Sequence, residues 1–236
     1  MGSLNIPYTR EPGSWIIFAI AFVTGTVKAG RIDLTSIILL ISLALFLMAK
    51  TPFSNILKKK GRSELAFILL YITIGSLGCL YSISIQPSML FLYIAGIILI
   101  SLYFIFGRKG FLLLSEASGM ATMGLVSAIA AGVGGEILSK IYLWPMFFIF
   151  YFASSLRVRF AITKYRLLSR IYSGIILTVS GVMIYTGKLI FLSFLPLLED
   201  FYSALKVKKE GFKRLGVLET IKALIFAFIL ILIDKD

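Results

Sequence analysis

The sequence predicts an all-α, polytopic membrane helical bundle of about nine transmembrane helices, and composition, run length and the placing of charge each point to it. Of 236 residues, 59% are hydrophobic and 15% charged, more apolar surface than one soluble core of this size can hide. The apolar runs are about 17 to 22 residues long, the length a helix needs to cross hydrocarbon. Because no water there satisfies backbone N–H and C=O groups, such runs cross only as helices. The short alternating strands of a barrel are not in evidence, nor is a soluble domain or a low-complexity segment, so residues 1–236 read as a single integral membrane domain.

The first apolar run, Trp15 to Val27, follows Arg10. With Ala29-Gly30 behind it, it has the look of a signal peptide, but charges near both ends and further runs downstream favour a retained span, extended backwards by Pro12-Gly13-Ser14. The second run goes from Leu34 to Ala49 and the third from Leu65 to Ile85. Gln86-Pro87 then turns the chain into a fourth, Ser88 to Phe106. Beyond Arg108-Lys109-Gly110, a fifth run contains Glu116 and many small residues and ends near Gly135-Glu136. A sixth spans Tyr142 to Leu156, with Trp144 as an interfacial anchor. The seventh, Leu168 to Tyr185, meets the eighth across Thr186-Gly187-Lys188; the eighth carries Pro196 and ends near Leu205, and the ninth runs from Leu215 to Ile233.

Sorting the basic residues over nine spans gives the direction. With a cytoplasmic amino terminus, the inside collects Arg10, the Lys50 to Arg62 cluster, Arg108 and Lys109, the Arg157 to Arg170 cluster, and Lys206 to Arg214. Outside fall only Lys28, Arg31, Lys140, Lys188 and Lys235. The expected location is therefore the cell membrane, with the carboxyl terminus extracytoplasmic.

The formal charge of +13 would by itself suggest nucleic acid, but the Lys and Arg residues occupy connectors between apolar runs rather than one soluble face, so no nucleic-acid partner is expected. Anionic lipid headgroups suit them better, with other membrane subunits as further partners. Cys79 is the single cysteine and lies mid-span, so it reads as a small buried hydrophobe. There is no histidine, which removes the usual axial ligand of membrane haem and the commonest ligand of zinc or copper. No cofactor and no metal are expected.

Several constellations invite a functional reading. In the fifth run Gly124, Ala128 and Gly132 recur at four-residue spacing beside Ser127, Ala131 and Gly135. Such stripes let helix backbones approach closely, and packing is the main reading, with a cavity wall as the alternative. Glu116, about two turns into that helix, is the one catalytic candidate. An unpartnered carboxylate there is costly, so it should pair with Arg157 or Arg159, or serve as a proton or ligand site. Glu219 and Lys222 share a face of the ninth helix and should pair. The adjacent Glu199 and Asp200 read as solvated or paired with the following basic run, and otherwise as a cation site. The two basic connectors supply the candidate phosphate-binding residues: Lys58, Lys59, Lys60 and Arg62 in one, Arg157, Arg159 and Arg166 in the other. Each such residue attracts an anionic headgroup by roughly 1 kcal/mol near the surface; the alternative is that they only set topology. No Walker loop, nucleophile elbow, CxxC or HExxH motif is present.

Nine spans with an inside start and an outside end resemble the layout of the UbiA prenyltransferase superfamily. That family holds magnesium on aspartate-rich motifs in its second-to-third and sixth-to-seventh loops. Here those loops carry Lys and Arg, so the layout does not bring the activity with it. A closer resemblance is to the YwiC-like family of membrane proteins. It rests on the opening Arg10-Glu11-Pro12-Gly13-Ser14-Trp15, on Arg157-Val158-Arg159, and on Leu215-Gly216-Val217-Leu218-Glu219. Pro12 stands where that family usually has His. The resemblance implies a membrane fold without assigning a reaction. The leading expectation is a non-catalytic anchor or accessory subunit of a respiratory or other electron-transfer complex. The alternatives are a prenyltransferase-like enzyme or lipid- or phosphate-binding protein using a cytoplasmic cavity, and a transporter.

Overall fold

A computed structural model describes residues 12–57, 65–135, 137–162, 166–205 and 212–233. Among these residues every regular element is helical. In chain order they are α1 (Pro12–Ala29), α2 (Leu34–Leu57), α3 (Leu65–Ile85), α4 (Leu90–Arg108), α5 (Leu112–Gly132), the one-turn α6 (Ile137–Lys140), α7 (Leu143–Ile162), α8 (Arg166–Tyr185), α9 (Leu197–Leu205) and α10 (Phe212–Ile233). Short 3-10 segments, Pro87–Met89 and Leu189–Phe194, precede α4 and α9.

Seven of these helices are long and apolar enough to cross a membrane. α1 is a shorter apolar helix, and the segment from Leu189 to Leu205 is apolar but broken. Each expected apolar run is thus helical, and this is a multi-pass membrane protein.

α5 is the hub. It packs against α1, α4 and α7, and its small residues explain why. A Cβ added at Gly124 would stand 2.8 Å from the Phe148 backbone nitrogen and 3.0 Å from the Trp144 carbonyl oxygen of α7. Only a residue without a side chain lets those two backbones meet. Ser127, Ala128, Ala131 and Gly132 are all buried along the same helix. Beside this hub, Phe150 and Phe226 stack at 4.3 Å and bring α10 against α7. α2 and α3 form a second closely packed pair at the side of the hub, while α4 shows most of its surface to lipid.

Two elements depart from expectation. α2 does not stop at Ala49 but continues through Pro52 to Leu57. Pro52 removes one hydrogen bond of the ladder, a local loss that does not by itself end a long helix. The eighth span is not one helix with a bend. A 3-10 segment runs to Phe194, Leu195 and Pro196 interrupt it, and α9 starts afresh at Leu197, with Glu199 N–H bonded to the Pro196 carbonyl at 3.3 Å. The break places Glu199 and Asp200 in the first turn of a new helix.

Candidate functional site

The break opens onto a buried cluster of charge. On α10, Glu219 and Lys222 are three residues apart and pair as their spacing predicts, with Lys222 Nζ 2.6 Å from Glu219 Oε1. Two acids join them from α9. Lys222 Nζ lies 3.3 Å from Glu199 Oε2 and donates to Asp200 Oδ1. Arg157, on the last turns of α7, reaches the same acids: Nη2 is 3.5 Å from Glu199 Oε1 and Nε is 3.7 Å from Asp200 Oδ1. Finally Ser154 of α7 donates to Glu219 Oε2. Three helices are therefore tied together by three carboxylates, one guanidinium, one ammonium and one hydroxyl.

This network is deep. Asp200 is 0% exposed, Arg157 2% and Lys222 4%. Lys222 lies ten residues past Phe212, about 15 Å along α10. Only Glu199 reaches outward, its side chain 34% exposed, and it forms the rim. Glu199, Asp200 and Glu219 each bring an oxygen within 4.8 Å of the others. Such an all-oxygen set suits a hard cation, and the Lys222 ammonium lies among them. Ionised groups at this depth are costly even when paired, and apolar residues of similar volume commonly serve stability as well.

The expectation that Asp200 is solvated is corrected here, because α9 turns it wholly inward; Glu199 stays partly solvated, and most of the basic run after them lies outside the described residues. Arg157, expected among the phosphate-binding residues or as partner of Glu116, is engaged by the α9 acids. Glu116 has a partner on α7: Ser155 donates to Glu116 Oε1, while its neighbour Ser154 serves Glu219. Adjacent residues on a helix point in different directions, so α7 presents one hydroxyl to the carboxylate of α5 and one to that of α10. Lys58, Lys59, Lys60 and Arg62 lie outside the described residues, as do the side chains of Arg159 and Arg166.

Away from this cluster, a shallow groove of about 490 Å³ runs down the outer surface of α8, lined by Leu167, Ile171, Gly174 and Ile175 with Arg170 and Phe201 at one end. Arg170 stacks its guanidinium over the Phe201 ring at 5.8 Å.

Residues 8–131 match the family model described as YwiC-like protein. The chain belongs to the YwiC-like family. The matched stretch takes in α1 to α4 and nearly all of α5, and with them Glu116 and the opening Arg10 to Trp15 pattern; the charge cluster of this YwiC-like protein lies beyond it. No curated protein and no solved structure matches the chain.

Proposed function

We propose that this YwiC-like protein is a membrane transporter whose ion-coupling site is the cluster of Arg157, Glu199, Asp200, Glu219 and Lys222. The observation that carries the reading is the position of Lys222, a buried ammonium ringed by three carboxylates at the point where a span is interrupted. Ionisable groups inside a membrane mark ion or proton pathways by default. Interrupted helices beside such groups are where carriers bind their ions. A proton or small cation arriving at the carboxylates competes with Lys222 for them. The same carboxylates tie α9 to α10 and, through Arg157, to α7, so that competition is felt by three helices at once.

The test is flux. Protein reconstituted into vesicles should move a solute in response to a proton or sodium gradient, screened over a panel of cations and anions. Glu199→Gln keeps the rim side chain's shape and should cut that flux by about tenfold or more, a change of roughly 1.4 kcal/mol at the coupling step. Lys222→Ala strands buried carboxylates and should cost about 3–5 kcal/mol of stability, read as a fall in melting temperature. Absence of flux under every gradient would overturn the reading.

Two other readings have an observation each. The groove on α8, lined in part by Arg170, suits an acyl chain below an anionic headgroup, and Lys58, Lys59, Lys60, Arg62, Arg159 and Arg166 remain candidate phosphate-binding residues of the same protein. Purification with co-bound phospholipid would support it. The broad apolar surface of α4 suits an accessory subunit seated in a larger assembly, to which capture of a cofactor-bearing partner in mild detergent would speak.

A further inference from the structure

The inward side of α8 carries Tyr172, Ile176 and Leu177 packed on the apolar core, with three serines set among them. Ser169, Ser173 and Ser180 are its fully buried residues among those described. In a membrane helix a serine or threonine hydroxyl ordinarily turns back on its own backbone, and this chain follows that habit elsewhere. Thr24, Ser42, Ser101 and Ser118 each donate to the carbonyl four residues before. On α8 itself the exposed Thr178 donates to the Gly174 carbonyl at 2.9 Å. The three buried serines do otherwise: among the described residues their Oγ atoms have no hydrogen-bond partner. A hydroxyl buried without a partner is unfavourable, and buried polar groups in native proteins are nearly always satisfied.

Helix geometry says where they point. Tyr172 meets Phe152 of α7 edge-on at 5.2 Å. Arg170 and Gly174 face Phe201 of α9. At about 100° per residue, Ser169, Ser173 and Ser180 fall between those two directions, opposite the lipid-facing Leu167, Ile171 and Ile175. They look into the crevice between α7 and the broken segment from Leu189 to Leu205, Ser169 and Ser173 beside α9 and Ser180 nearer the 3-10 part. α7 and α9 touch each other, and their contact is where Arg157 meets Asp200. Ser169 and Ser173 lie within about two turns of the α7–α8 connector, as Arg157 does. Ser180 is eleven residues beyond Ser169, roughly 16 Å along the helix towards Tyr185.

We propose that the serine edge of α8 holds a file of water molecules that joins the charge cluster to the end of α8 at Tyr185. Three hydroxyls on one edge, with Asp200 and Arg157 at the inner end, supply the donors and acceptors that buried water needs. The path reaches the cluster from the end of the bundle away from the α7–α8 connector. The inference deepens the transporter reading by giving its site a way to water, yet its test uses no transport.

Cys79 is the single cysteine, so Cys79→Ser gives a clean background. In it, Ser169→Cys, Ser173→Cys, Ser180→Cys and the lipid-facing control Ile175→Cys are each made in the full chain, reconstituted in vesicles. They are treated with a small water-soluble methanethiosulfonate, and labelling is followed by mass. A thiol reacts as thiolate, which apolar surroundings suppress, so the three edge positions should label at least about tenfold faster than the control. Ser180→Cys should be the fastest. Labelling no faster than the control at all three positions would overturn the proposal. Ser173→Ala gives a second measure without a new thiol. If the hydroxyl anchors water, the melting temperature falls; a rise or no change, as from deleting a dry hydroxyl, would also overturn it. Either failure leaves a measured flux intact, and absence of flux leaves the labelling result standing.

Discussion

Lys222 and Asp33 show how differently one charged side chain behaves at the two depths this chain offers. Lys222 is held by three carboxylates inside the bundle, where removing either sign strands the other. Asp33 sits in the short connector before α2, and its Oδ1 accepts from the Ser36 backbone N–H at 2.9 Å and from the Ser36 hydroxyl at 3.1 Å. It caps the helix. The Ser36 backbone hydrogen bond, with help from Arg31 nearby, holds the Asp33 carboxyl below its ordinary value of 3.8. A lowered carboxylate pKa contributes stability above the unfolded value and loses it as pH falls through the folded one. Asp33→Ala should therefore cost about 1 kcal/mol at neutral pH, the usual worth of such a cap. Because the side chain is 37% exposed, solvent screening keeps the charge's own share small. The difference in melting temperature between wild type and variant should be present at pH 7 and shrink below pH 3.8. A gap that persists unchanged into acid would mean that Asp33 acts by packing and not by charge.

At the scale of helices, the apolar runs were legible because hydrocarbon allows few alternatives, and the Thr186-Gly187-Lys188 turn because glycine tolerates the φ of 87° found at Gly187. The small-residue stripe of α5 was legible for the same kind of reason, since close approach requires the absence of side chains. Gly124→Leu should accordingly push α5 from α7. Overpacking a close contact costs about 1–3 kcal/mol, and here the obstruction is backbone, so the upper part of that range applies. Gly216→Leu, where an added Cβ meets nothing within 4 Å, should change melting by far less. Equal effects from the two would remove the close-packing explanation. Glu219 with Lys222 could be read locally, because a helix brings residues three apart together. Their meeting with Asp200 and Arg157 could not, because it depends on how three helices are rotated about their axes. α2 ran past its apolar stretch unannounced: helices do not end where hydrophobicity does.

For the molecule as a whole, the broken segment from Leu189 to Leu205 decides the topology. Its 3-10 and helical parts together span roughly 25 Å, somewhat less than a hydrocarbon core of about 30 Å. Two neighbours argue that it crosses. α8 arrives at a turn carrying Lys188, and α10 leaves from a stretch rich in Lys and Arg, so the segment's two ends have different charge surroundings, as opposite membrane faces do. Its unwound backbone is sheltered by α8 and α10, which is the condition under which irregular backbone is tolerated at membrane depth. If it crosses, and if α1 does as well, the number of crossings is odd and the basic residues gather on one side. Activity-based reporters fused separately to the two ends should then report opposite sides, with the amino-terminal fusion in the cytoplasm. A reporter inserted in the α9–α10 connector should agree with the amino terminus. Finding both ends outside would mean that α1 does not cross, and finding both in the cytoplasm would turn the segment into a loop that enters and leaves by the same face. Glu199 and Asp200 would then sit near the tip of that loop, still against Lys222, and the proposed water path along α8 would join them to the face by which the loop enters.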